Sequence, residues 1–461
     1  MTSTYFQLFQ GSLVLSSVMF SSAARQVGGS LVVSLIHLLA GSAIPLSSII
    51  IPHLEMSEDD ISWFASIITL GILAGSLAGC VYCDIIGWRT SLIFDCFGYL
   101  VGFSIIGFGG ENIYMLCGGR FLTGFFLGTM KCSMMVYICE FSEPKYRGLM
   151  GGLNMLVFMI GFTFPFLLNM VLDWTFVTLS LSVPSILAIV GLFLLEESPV
   201  WLMRKKGEER AMKSLRFFRG GDADITKEME EIKQNITETT EKQQSKLSMM
   251  KNRSFYRPFL YLCFVMAALQ WSSYPVIGTY MITIFEQTGS AMDPKVSSLI
   301  VCFVRITFAA FTSSLLLRFP RRSIYFVAAS ISCLSLLLLG GFCFASQLYD
   351  LPEVMMILPL VFIIFLYIGF SLGYGSISII LQGEVFPPQM RSLGCGIILC
   401  FEMISSFAAI KSSGYIISSI GLHGLFWLYS AVVFMVLVLA YFCMPETKDK
   451  TLAEIQKEYQ R

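Results

Sequence analysis

The stretch VSSLIVCFVRITFAAFTSSLLL, Val296 to Leu317, is almost wholly apolar. A hydrocarbon core about 30 Å thick needs about 20 such residues in a helix, so this segment is long enough to span a bilayer. Near its middle stands a permanent cation, Arg305. Inserting an arginine at mid-span costs roughly 2.5–3.5 kcal/mol, so its presence asks for a reason. The rest of the chain is of the same kind: of 461 residues, 55% are hydrophobic and 13% charged, and the mean hydropathy is +0.73. Soluble domains carry about 25% charge, and the deficit sets the class: an all-α polytopic membrane protein. Net charge is zero, which says nothing about partners.

Several functions are excluded early. The 13 cysteines are spread singly through apolar segments, Cys80 and Cys83 apart, and imply no disulfide framework. His37, His53 and His423 are far apart and show no metal-ligand spacing. There is no phosphate-cradling glycine loop and no nucleophile–base constellation, so an ATP-driven pump or an enzyme is not expected. Neither is a cofactor, a metal or a nucleic-acid partner. The bilayer and a small molecule are the expected partners.

Apolar segments fall near 30–52, 61–83, 90–109, 113–138, 149–170, 175–195, 258–283, 296–317, 323–345, 354–380, 392–418 and 424–444. Six precede the long polar stretch Glu196–Arg257 and six follow it. The expected organisation is a cytosolic tail over 1–29, a six-helix bundle over 30–195, and cytosolic linker helices over 196–257. A second six-helix bundle over 258–445 and a cytosolic tail over 446–461 complete it. Gly11–Arg25 has a signal-like length but no basic start, and reads as part of the first tail. With both ends in the cytosol, 26 of the 31 Lys and Arg lie on that side. Only Lys295 falls in an outside loop, so the positive-inside rule fixes this orientation. The sequons at Asn235 and Asn252 then stay unglycosylated. Within the linker, Ile225, Met229, Ile232 and Ile236 recur at helical spacing, and EERAMKSLRFF before them also reads as helix. Short helices packing beneath the bundle are expected.

The two halves echo each other. EFSEPKYRG (Glu140–Gly148) matches GEVFPPQMRSLG (Gly383–Gly394), EESPVW (Glu196–Trp201) matches PETKDK (Pro445–Lys450), and DIIGWR (Asp84–Arg89) matches RFPRR (Arg318–Arg322). The offset is nearly constant, which signals a duplicated six-helix unit. Such duplication is typical of secondary carriers, whose substrate site lies between the repeats.

These loops resemble the sugar porter family of the major facilitator superfamily, from about Ile61 to Leu452. The densest match is GRFLTGFFLGTMKCSMMVYICEFSEPKYRG, Gly119–Gly148. LEESPVWLMRKKGEERAMKSLRFFRG resembles the family's P-E-S-P-R-W-L segment, and MPETKDKTLAEI its P-E-T-K-G-K-T-L-E-E-I tail. Insect trehalose and sugar facilitators look closest, partly through Lys411 nine residues after Glu402. The resemblance implies twelve spans in two bundles. It also implies a gate of loop residues paired across the halves: Asp84, Gly87, Arg89, Glu140 and Arg147 against Arg318, Arg322, Glu384 and Arg391. The second repeat is imperfect, with Leu317 at an acidic position and Pro320 for a glycine; Glu196 also replaces the family's leading proline.

The cavity departs further from the family. The span 7 pattern Q-Q-x-S-G-x-N reads QWSSYPV, so Gln270 is kept while Trp271 and Val276 replace an amide each. Met155 stands for a span 5 glutamine, Ile379 for a span 10 tryptophan, and Glu402-Met403 for an asparagine–tryptophan pair in span 11. Arg305 and Lys131 fall at cavity-lining positions of spans 8 and 4, and Glu402 is the expected partner of Arg305. The aspartate of proton-coupled relatives is Ala43, while the span 4 arginine remains as Arg120. Facilitated diffusion is therefore expected at the plasma membrane. The leading cargo is a sugar such as trehalose or a hexose. A small organic anion or sugar acid on the same fold, and a non-transporting sensor-like paralogue, stay open as alternatives.

Overall fold

The computed structural model describes residues 22–220, 224–241, 253–386, 391–444, 446–448 and 450. Most of the expected first tail, Asn252 of the second sequon and most of the last tail lie outside them. Among the described residues every regular element is helical, and eleven helices are long and apolar enough to cross a membrane. The longest, Arg391–Cys443, is two spans joined at Gly421, whose φ of +75° interrupts the helix. Twelve spans result, six before the linker and six after it.

Three spans are broken along their length. Span 1 runs Ser22–Ala43 and resumes as Leu46–Ile50 beyond Pro45, which has no N–H to continue the ladder. Span 7 runs Arg253–Gln270 and Tyr274–Gln287. Between them Ser273 takes φ +68°, the one positive φ at a non-glycine among the described residues. Span 10 joins Leu358–Gly369 to Gly375–Val385 through a π-helical turn, Phe370–Tyr374. Discontinuous helices of this kind surround the binding sites of carriers. Elsewhere contact is close and regular. A Cβ at Gly75 of span 2 or at Gly128 of span 4 would strike the backbone of the other helix. Small residues are what allow these two helices to pack backbone to backbone.

The sequence echo is a structural one. Glu197 accepts hydrogen bonds from the backbone N–H of Arg89 (2.9 Å) and Thr90 (3.3 Å) at the start of span 3, Trp88–Phe108. Glu446 does the same for Arg321 (3.1 Å) and Arg322 (3.0 Å) at the start of span 9, Arg321–Leu348. In both halves a carboxylate fills the unsatisfied donors of a helix N-terminus.

Three linker helices, Pro199–Lys205, Glu208–Arg219 and Thr226–Glu241, pack under the first half. Trp201, Leu202, Ala211, Leu215, Ile225 and Met229 form a small core of their own, with Ile232 at its edge. Phe218 stacks on Phe141 of span 4 at 4.7 Å, and Arg219 donates to the Phe141 carbonyl at 2.8 Å. The helical linker expected from the apolar spacing is thus built against the bundle.

The first boundary differs from expectation. Residues 22–29 belong to the first helix, not to a tail. Gln26 is fully buried and exchanges two hydrogen bonds with Glu143 at the start of span 5, at 2.9 and 2.8 Å. The last boundary, at 445/446, also divides a built unit, since Glu446 caps span 9.

Candidate substrate cavity and gates

The two halves meet at the face remote from the linker. Lys411 Nζ lies 2.6 Å from Asp59 Oδ1, and the Tyr415 hydroxyl donates to the same oxygen at 2.8 Å. Lys411 also sits 4.4 Å from the Trp63 ring centroid, and Trp63 packs on Phe407 at 5.8 Å. The Ile282 N–H donates to Ser48 Oγ at 3.0 Å, and Lys295 Nζ to the Asn169 carbonyl at 3.4 Å. Each of these contacts joins the first half to the second.

On the linker face the expected gate residues are engaged within their own halves. Asp84 pairs with Arg204 (3.0 Å) and Lys205 (3.1 Å) of the linker. Gly87 has φ +105°, and a Cβ there would collide with the Glu197 carboxylate. Arg89 donates to the Leu195 carbonyl, and Glu140 accepts from Ser198 Oγ. Arg322 donates to the Tyr441 carbonyl at 2.5 Å and covers the Phe326 and Tyr441 rings. Arg147 and Arg318 are exposed. The side chains of Glu384 and Arg391 lie outside the described residues. Pairing across the halves, expected from the resemblance, is not formed by the described members of this set. Their partners are the linker, the cap carboxylates and backbone carbonyls on the same side of the interface.

Between the two faces the polar groups divide into two clusters. In one, Gln270 Nε2 donates to Glu402 Oε1 at 3.0 Å. Lys131 of span 4 is exposed. In the other, Arg305 is 4% exposed. Its guanidinium lies 4.3 Å from the Phe162 ring, 5.2 Å from Tyr274 and 6.0 Å from Tyr367. The expected Arg305–Glu402 ion pair is therefore not made. Glu402 takes an amide from its neighbouring span, and Arg305 is turned into an aromatic cage. Tyr274 also stacks flat on Phe370 of the π-turn, at 3.5 Å and 3°, so two of the broken spans meet at this cage.

The remaining predicted positions scatter. Val276 (1% exposed) and Met403 (6%) are core residues, while Met155 and Ile379 are half exposed. Trp271 donates to Ser405 Oγ at 3.2 Å and sets its ring edge against Tyr429 of span 12. Arg120 is fully buried and donates to the Ala43 carbonyl and to Ser47 Oγ. It thereby pairs with backbone and hydroxyl oxygens at the end of the first helix, where Pro45 breaks span 1.

Sequence reasoning missed Asp59, Phe162, Tyr274 and Tyr367, which look like ordinary helix-start and core residues. It also missed Asp95 of span 3. That carboxylate is fully buried and accepts from Tyr82 (3.2 Å) and Thr129 (2.5 Å).

Twelve spans in two equivalent halves, broken around a polar centre, define a multi-pass membrane carrier of the major facilitator fold. The chain belongs to the family described as "Sugar (and other) transporter", whose model matches residues 19–459. It is 29% identical over 449 residues to a facilitated trehalose transporter Tret1-2 homolog of Drosophila simulans, covering 94% of this chain and 90% of that one. To the facilitated trehalose transporter Tret1 of Drosophila virilis it is 31% identical over 402 residues, spanning 86% of this chain but only 44% of that longer protein. In fold it is similar to the xylose transporter XylE of E. coli in a partially occluded inward-open conformation. There the TM-score is 0.76 at 19% identity, over 93% of this chain and all of that one.

Proposed function

We propose that this chain is a facilitative sugar carrier, a uniporter working by alternating access in the plasma membrane with both termini in the cytosol. One observation carries the reading: among the described residues, an ion pair, hydrogen bonds and a ring contact tie the two duplicated halves together on the far face. In that arrangement the cavity opens toward the linker, and thus to the cytosol. The reverse state closes when Glu140, Arg147 and Asp84 of the first half re-pair with Arg318, Arg322, Glu384 and Arg391 of the second. Gly87 and Arg89 set the turn from which those charges project. Gln270, Glu402, Lys131, Arg305 and Trp271 supply the polar lining, with Met155 and Ile379 as the apolar surface, while Val276 and Met403 pack behind it in the core.

The relatives are named for trehalose transport, and a sugar, whether trehalose, a hexose or a derivative of one, is the cargo proposed for this chain. A disaccharide exposes many hydroxyls, each of which must be paired at a dry site. Uniport follows from Ala43: span 1 carries no acid to take a proton, and Arg120 donates to a backbone carbonyl and a serine hydroxyl there. Uptake of labelled trehalose and glucose into proteoliposomes of the purified chain tests the reading. Saturable flux insensitive to a protonophore is expected. Binding without flux would assign the fold to a sensor instead.

A further inference from the structure

We infer that Arg305 is the recognition group for an acid on the cargo, so that the preferred substrate is a sugar acid, a hydroxylated ring bearing a carboxylate. This inference rests on the carrier reading and specifies its substrate class.

Arg305 is 4% exposed, and Nη1 is buried with no hydrogen-bond partner. No carboxylate among the described residues forms an ion pair with it. The one acid placed among the predicted cavity residues, Glu402, is held by Gln270. A buried cation is stable only when paired or hydrogen-bonded, and ring faces replace only part of a lost hydration shell. Arg305 therefore keeps one buried donor, Nη1, open to an anion. Tyr367, whose ring borders the guanidinium, has a buried hydroxyl that is also unpartnered. An arginine edge beside a tyrosine hydroxyl matches a planar carboxylate, which accepts several short hydrogen bonds at once. A neutral sugar hydroxyl could accept one of them and would leave the charge uncompensated.

The cage also gives a route to coupling. Phe162 belongs to the first half, while Arg305, Tyr274 and Tyr367 belong to the second. When the far face opens, Phe162 leaves with its half and the guanidinium loses its nearest ring. An incoming carboxylate then takes the vacated side.

The test is uptake of labelled D-glucuronate, D-glucose and trehalose into proteoliposomes of the full chain, with a potassium diffusion potential set by valinomycin. Glucuronate uptake is expected to exceed glucose uptake and to rise when the interior is positive, because an anion carried alone moves charge. Arg305→Gln should lower the glucuronate-to-glucose ratio by about tenfold or more, the worth of one charge-assisted hydrogen bond. Arg305→Lys should keep part of it. Should Arg305→Gln fail to fold, the voltage dependence of the native chain and the lysine variant decide the matter. Hexose or trehalose flux with no glucuronate flux and no competition by glucuronate would overturn the inference and leave the carrier reading standing. Absence of flux for all three would overturn both.

Discussion

Lys411 of span 11 and Asp59 at the start of span 2 meet at 2.6 Å, and through that pair the two halves are held together on the far face. Asp59 also takes the Tyr415 hydroxyl, and Lys411 lies over Trp63, so ion pair, hydrogen bond and ring act on one point. The pair is half open to solvent on the aspartate side, so its strength is modest and sensitive to salt. Lys411→Ala is expected to speed amide hydrogen exchange in residues 58–66 and 405–415 by roughly 2–5-fold. The swapped pair Asp59→Lys with Lys411→Asp should restore protection. Unchanged exchange in the single variant would remove the latch role.

Glu402 is coupled to Gln270 and not to Arg305. A double-mutant cycle on thermal stability with Glu402→Gln and Arg305→Gln should be additive within about 0.5 kcal/mol. The cycle with Glu402→Gln and Gln270→Ala should depart from additivity by about 0.5 kcal/mol or more. The reverse pattern would restore the Arg305–Glu402 pair as the organising contact.

Gly87→Ala should be costly for two separate reasons. Its φ of +105° strains any L side chain, and the new methyl would meet the carboxylate that caps span 3. A loss of about 1–3 kcal/mol is expected, read as a lower midpoint of thermal unfolding in detergent. Gly148→Ala, in a helix with nothing near the added carbon, should show no loss.

Glu197→Gln and Glu446→Gln test the duplicated cap. Each removes a charge from a helix N-terminus while keeping an acceptor oxygen. Each should cost about 0.5–2 kcal/mol, with the larger loss at Glu197. That residue is 9% exposed and also accepts from the Ser198 N–H at 3.0 Å. A neutral outcome at both sites would mean that the caps fix geometry without adding stability.

The linker and the caps show how far the sequence could be read. Ile225, Met229 and Ile232 disclosed a buried helix face because four-residue and three-residue spacings report directly on which side chains share a side. The match of EESPVW to PETKDK disclosed the repeat but not its role: that Glu197 and Glu446 cap spans 3 and 9 emerges only from the fold. Arg305 and Glu402 were each recognised as cavity groups, since lipid is a poor solvent for either. Their pairing was misread: sign and depth suggested a partner, and the helix rotations that chose Gln270 and three rings leave no mark in a one-dimensional pattern.

Hydropathy, charge bias and the repeated loops were enough to determine twelve spans, their division into two halves and the family they belong to. Those properties are local or periodic, and each segment carries them by itself. Tertiary structure alone decided which groups tie the halves on the far face, which carboxylate meets which cation, and that Arg305 is left with rings in place of an acid. The residues concerned lie far apart along the chain, Lys411 and Asp59 by 352 positions. Nothing short of packing one half against the other brings such groups within a hydrogen bond's length.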